Sequence, residues 1–165
     1  MRVSPEESAV PLPDAAGLRF ALVVARFNAE VTGRLRDGAL EALAVAGAAP
    51  DAVTTIEAPG AFEVPFAAKA LAATGRFDAI VCLGCLIRGD TPHFDFIASA
   101  VSHGIESAAR ETGVPMAFGV LTTNTLEQAL ERAAMDRTNK GWEAAAAAVE
   151  MAQLVRRLAD EDTPA

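Results

Sequence analysis

Tyrosine is absent from this chain, and aromatic residues make up 5% of its 165 positions. Each phenylalanine in a polar setting therefore stands out. Positive charge is scarce too: 14 Lys and Arg against 22 Asp and Glu leave a net charge of −8. Nucleic acid and anionic membranes are poor partners for such a chain, and an anionic ligand would need positive groups placed locally. No apolar run reaches the length of a membrane span, and the opening MRVSPEESAV lacks the apolar core of a signal peptide. The expectation is a soluble, cytoplasmic protein. Cysteine occurs twice, at Cys82 and Cys85. Their C-x-x-C spacing invites a redox or metal reading. Both fall in an expected strand, however, where positions three apart point to opposite faces. They read as core residues.

Several familiar site patterns are missing as well. No G-x-G-x-x-G follows the first expected strand, which argues against the usual dinucleotide fold, and no G-x-x-x-x-G-K-[ST] occurs. A phospho-acceptor receiver would end its first strand in acidic residues, where Ala25-Arg26 stands instead. No His/Cys cluster suits zinc, and neither Ser nor Cys sits in a nucleophile elbow. No internal repeat or domain linker interrupts the chain.

What is present is a globular composition, 52% hydrophobic and 22% charged, in a chain long enough for one sizeable core. The stretch from Asp78 to Phe96, DAIVCLGCLIRGDTPHFDF, has three parts. Asp78 to Leu86 is rich in Ile, Val and Leu, as in a strand buried on both faces of a parallel sheet. Arg88-Gly89-Asp90 is a turn. Thr91, as N-cap, and Pro92, at the first helical position, open a helix that runs to about Glu111. Free backbone N–H groups at a helix N-terminus beside a strand's carboxyl end favour an anion. His93 falls in that first turn.

Around this centre the chain alternates. Residues 1–17 are polar and proline-rich and read as a flexible arm, with one domain over 18–160. Strands are expected over 19–25, 52–58 and 114–121. A helix over 30–46 carries Val31, Leu35, Ala39, Leu43 and Ala46 at helical spacing and stops at Gly47. Another helix follows the turn Pro59-Gly60-Ala61 and runs through Lys69 to about Ala73. Thr125 to Gln128 is a capping-box pattern opening a helix to about Met135. Thr138 to Gly141 break it, and a last helix covers 142–158. Strands alternating with helices imply a parallel sheet covered on both faces. In such sheets ligands bind at the carboxyl ends of the strands.

Four segments converge at those ends: Arg26 to Asn28, Pro59 to Glu63, Arg88 to His93, and Thr122 to Asn124. Phe27 there either stacks on a planar heterocycle or covers the sheet edge. Asn28 either reads a ring edge or caps the next helix. The Glu63 carboxylate suits the start of its helix and could bind hydroxyls or an amine. Arg132 and Lys140 flank the break between the last two helices, where they either meet an anion or stay solvated. His103 lies mid-helix and takes no role.

Five ordered blocks, ARFN (25–28), APGAFEVP (58–65), GCLIRGDTPHFDF (84–96), FGVLTTNTLEQALERA (118–133) and NKGWEAAAAAVEM (139–151), together resemble the 6,7-dimethyl-8-ribityllumazine synthase family. The resemblance implies a flavodoxin-like three-layer sandwich with a four-stranded parallel sheet. It implies condensation of 5-amino-6-(D-ribitylamino)uracil with 3,4-dihydroxy-2-butanone 4-phosphate in riboflavin biosynthesis, without metal or organic cofactor. By the same resemblance Phe27 stacks on the ring, Ala61, Phe62 and Glu63 hold the ribityl chain, and Leu86 and Ile87 meet the pyrimidine. Gly89, Asp90 and Thr91 form the phosphate turn, Arg132 binds phosphate opposite them, and His93 transfers protons. Phe118 is donated by a neighbouring subunit while His93 and Arg132 come together from the other, and Lys140 lies near the site. Asp136 departs from the basic residue common there. Asp90 puts a carboxylate in the phosphate turn, and Pro11 and Pro13 stand where some members place an extra strand. The resemblance further implies a homopentamer and leaves an icosahedral shell of sixty subunits open. A carrier of lumazine or flavin and a purely structural shell protein are the readings from other classes. Retention of both His93 and Arg132 argues against the carrier.

Overall fold

A computed structural model describes residues 11–161. Its elements alternate as β1 (Phe20–Ala25), α1 (Ala29–Val45), β2 (Val53–Ala58), α2 (Val64–Ala72), β3 (Ala79–Ile87), α3 (His93–Thr112), β4 (Met116–Thr123), α4 (Leu126–Arg132) and α5 (Lys140–Glu161). All strand pairs are parallel, in the order β2-β1-β3-β4. The inner strands are the continuous apolar runs: every residue of β1 and the first seven of β3 are buried. The outer strands β2 and β4 mix buried and exposed positions, as edges covered on fewer sides must.

Alternation along the inner strands divides the core into two layers. Phe20, Leu22, Val24, Val81, Leu83 and Cys85 pack with α1 and α5. Ala21, Val23, Ile80 and Cys82 pack with residues of α2 and α3. Cys82 and Cys85 thus lie on opposite faces, as their spacing requires. Both are free, and burial pushes their thiols up to about 12 and about 11 respectively. Val31, Leu35, Ala39, Leu43 and Ala46, the expected face of α1, are all buried.

The helix boundaries differ from expectation in several places, among them the end of the last helix at Glu161 rather than 158. Pro92, not Thr91, is the N-cap of α3, and no side chain caps that end. Pro92 sits at φ −69°, ψ 0°, so the helix begins at His93. The fourth helix stops at Arg132 rather than Met135, and α5 starts two residues before Trp142. The cause of that early start is Asn139, almost fully buried. Its Oδ1 accepts from the backbone N of Gly141 at 2.7 Å and of Trp142 at 3.2 Å, which caps α5. Its Nδ2 donates to the carbonyls of Arg34 and Ala134 at 3.1 and 2.8 Å. One amide therefore joins α1, the α4 exit and α5. Gly141 completes the crossing: a Cβ there would stand 1.9 Å from the Leu35 carbonyl oxygen.

Residues 1–10 of the expected arm lie outside the described residues. The part from Asp14 to Gly17 is packed rather than loose. Ala15 is fully buried and its N–H donates to the Ala46 carbonyl at 2.8 Å. The carbonyls of Asp14 and Gly17 accept from Gln153 and Arg156 of α5. Among the described residues no helix is long and apolar enough to cross a membrane.

Candidate active site

The chain leaves β1 toward β2 on one side and returns to β3 on the other. The strand order therefore reverses between β1 and β3, and a crevice opens at the carboxyl ends of such a pair. Asn28 holds that crevice together. Its backbone is left-handed, at φ 58° and ψ 50°, and its side chain does not cap α1. Instead Nδ2 donates to the Cys85 carbonyl at 2.8 Å, tying the β1 exit to β3. Asparagine is among the few non-glycine residues that tolerate this conformation. The capping alternative for Asn28 is thus not realised.

A cavity of about 400 Å³ occupies the crevice, within the range of small-molecule sites. Phe27 and Asn28 line it from the β1 exit, and Ala61, Phe62 and Glu63 from the 3-10 turn Ala61–Glu63 before α2. Leu86 and Ile87 end β3 against it, and Gly89, Thr91 and His93 line it further along. Phe27 is 74% exposed. A core role covering the sheet edge is excluded, and its ring is open to a partner. His93, the first residue of α3, shares the cavity with Gly89 and Thr91. Partial positive charge from that helix end falls where the imidazole stands.

Asp90, expected in the phosphate turn, is exposed and does not line this cavity. Gly60, Cys85, Phe94 and Ile97 line the cavity without having been singled out as binding residues. Gly60 lay within a converging segment. Phe94 and Ile97 follow His93 by one and four positions, a helical offset that could have found Ile97.

Arg132, Phe118 and Lys140 do not join the first cavity. They line a second one of about 530 Å³ with Thr122 and Glu143, along β4 and α5. The expected placement of Arg132 opposite the 89–91 turn is therefore not met within one chain. The reason is topological: α4 returns behind β4, and Nη1 of Arg132 donates to the Gln128 carbonyl at 3.0 Å. Lys140 Nζ meets both Glu143 carboxylate oxygens, at 2.8 and 2.6 Å. Glu143, three residues on, was legible as an i,i+3 partner. Phe118 is 47% exposed, and among the described residues no strand pairs with the outer edge of β4. Asp136 lines neither cavity. Its carboxylate accepts from Thr138 Oγ1 and the Thr138 backbone N at 2.5 and 2.8 Å. Those bonds hold it below the usual carboxylate range.

Comparison with known proteins identifies the family. A family model described as 6,7-dimethyl-8-ribityllumazine synthase matches residues 17–156. A protein of Syntrophus aciditrophicus (strain SB) bearing that same name is 51% identical over 144 residues, which span 87% of this chain and 94% of the relative. With a matched region that runs from just before β1 nearly to the end of α5, the chain belongs to the 6,7-dimethyl-8-ribityllumazine synthase family.

Proposed function

We propose that His93 carries protons, and the 89–91 turn holds phosphate, in the condensation that this transferase catalyses. The reaction joins 5-amino-6-(D-ribitylamino)uracil to 3,4-dihydroxy-2-butanone 4-phosphate and gives 6,7-dimethyl-8-ribityllumazine, phosphate and water. It is the penultimate step of riboflavin biosynthesis. The observation that carries the assignment is the shared cavity: an imidazole at the start of α3, a polar turn beside it, and two open phenylalanines facing them.

The chemistry follows from that arrangement. The amine attacks the ketone, water leaves, and an imine forms. Phosphate is then eliminated, the enol left behind tautomerises to a ketone, the ribityl-bearing nitrogen attacks that carbonyl, and loss of a second water completes the ring system. Each step moves a proton, and a positioned histidine suits proton transfer near neutral pH. Backbone N–H groups of the turn and the α3 end stabilise the departing dianion. Phe27 stacks on the pyrimidine, which Leu86 and Ile87 meet along the end of β3. Ala61, Phe62 and Glu63 receive the ribityl chain.

The site is completed by a second subunit. Arg132, Phe118 and Lys140 form a group on the β4 side, apart from His93. A neighbouring copy that presents this group to the first cavity supplies the cation a phosphate dianion requires. The arrangement fits a homopentamer, in which each β4 edge faces the next subunit's crevice. Two free, buried thiols fit a reducing cytoplasm. Mixing the two substrates with the protein and following lumazine fluorescence tests the function. Product formed faster than in protein-free buffer supports it, and no acceleration refutes it.

A further inference from the structure

We propose that Arg88 is a positioning residue: it locks the 88–92 turn to the first turn of α3, so that Gly89, Thr91 and His93 face one ligand. The inference rests on the function proposed above and adds a residue to it. An arginine in a turn beside an anion site would ordinarily be read as a phosphate ligand. Here it is committed elsewhere and does not line the cavity.

Its guanidinium makes a fork with Asp95, Nη1 to Oδ2 at 3.0 Å and Nη2 to Oδ1 at 2.7 Å. Nε donates to Asn124 Oδ1 at 3.3 Å. The guanidinium carbon lies 4.4 Å from the centroid of the Phe94 ring, and Phe94 itself lines the cavity. The Arg88 backbone N donates to the Thr123 carbonyl at 2.8 Å. One residue thus joins the ends of β3 and β4 to the third residue of α3. The sequence alternates along the turn: 89, 91 and 93 line the cavity, while 88 and 90 do not.

Two features separate positioning from stability and from direct binding. Both partners are exposed, 42% and 57% for the two side chains, and exposed ion pairs add little to folding. The Asp95 carboxylate also neutralises the guanidinium, so the pair brings no net charge to the ligand. The Arg88 hydrogen bonds hold the Asp95 carboxyl below its ordinary range. The clamp therefore persists through neutral pH and opens only in acid. A planar fork fixes direction in a way that an ammonium does not, and His93 stands two residues before the clamped carboxylate.

Arg88→Lys, Asp95→Asn and the double variant are prepared as full-length assemblies. Each single change is expected to lower kcat about 10- to 100-fold, the scale of a misplacement of about 1 Å. KM for the butanone phosphate should rise, KM for the pyrimidine and Tm should stay near wild type, and the double variant should be no worse than the poorer single one. Titration with inorganic phosphate supplies a readout independent of turnover. Positioning predicts weaker phosphate binding in both single variants. A direct ligand role predicts tighter binding in Asp95→Asn, which frees the guanidinium. Wild-type kcat in Asp95→Asn, or tighter phosphate binding there, overturns the proposal. A wild-type chain that makes no lumazine sinks the proposed function instead, while the phosphate titration still decides whether the clamp arranges the turn.

Discussion

The two cavities differ in what closes them. The first is walled by segments far apart in sequence, brought together where the strand order reverses, and Asn28 ties two of those walls. The second runs along an edge strand whose outer side no described strand pairs with, and it holds a half-exposed phenylalanine beside an arginine and a lysine. The first can be assembled by one chain crossing over its own sheet. The second has a floor, from β4 and α5, and an open side that we propose a neighbouring copy covers. The teaching is that the proton carrier and the cation proposed for one reaction sit on different faces of a single chain.

The largest effect expected is complementation. His93→Ala and Arg132→Ala proteins, each strongly impaired alone at butanone phosphate far below KM, are co-refolded. If the two residues serve a site between subunits, roughly a quarter of the interfaces in a random ring pair an intact His93 with an intact Arg132. Activity should return. A mixed ring, verified by mass spectrometry, that stays inactive would place both groups in one chain's site and break the comparison. Phe118→Asp belongs to the Arg132 side, so it should complement His93→Ala and fail to complement Arg132→Ala.

Next in size is His93→Ala by itself. Loss of general acid–base help should lower turnover about 10²- to 10⁴-fold, with binding of a ribitylaminouracil analogue intact. An unchanged rate at saturating substrate removes His93 as proton carrier. Arg132→Ala acts from the other side. A charge-assisted contact contributes about 1.5–3 kcal/mol, so KM for the butanone phosphate should rise roughly tenfold or more while KM for the pyrimidine holds. Equal effects on both would contradict the assignment.

Smaller still is Phe27→Ala. Ring stacking contributes about 0.5–1.5 kcal/mol beyond buried area. The pyrimidine KM should rise several-fold and the butanone phosphate KM should not move. The smallest effect on turnover is expected from Asn139→Ala, which removes the cap of α5 and lowers stability by about 0.5–2 kcal/mol. It should lower Tm and leave the pyrimidine KM alone, since α5 floors only the second cavity. A changed pyrimidine KM would show that the second cavity influences the pyrimidine site, within one chain or across the proposed subunit contact.

Local periodicity determined most of this molecule. The unbroken apolar runs of β1 and β3 specified inner strands of a parallel sheet, and the residues at helical spacing specified the buried face of α1. The capping box specified the start of α4: Thr125 Oγ1 accepts from the Gln128 N–H at 3.2 Å. Such signals are legible because periods of 2 and 3.6 are set by bonds within a few residues. The convergence of Phe27, Phe62, Gly89, Thr91 and His93 followed from the same signals, since parallel strands bring all their carboxyl ends to one side. What only the tertiary structure decided involves contacts across the chain. Asn139 starts α5 by reaching Arg34, 105 positions away. Asp14 to Gly17 pack because α5 passes over them. The return of α4 behind β4 parts Arg132 from His93, and the Arg88 fork depends on β3, β4 and α3 meeting at one corner. A periodicity states which face of an element is apolar. Which edge of the sheet that element returns to, and what an exposed arginine then meets, is settled only when the layers pack.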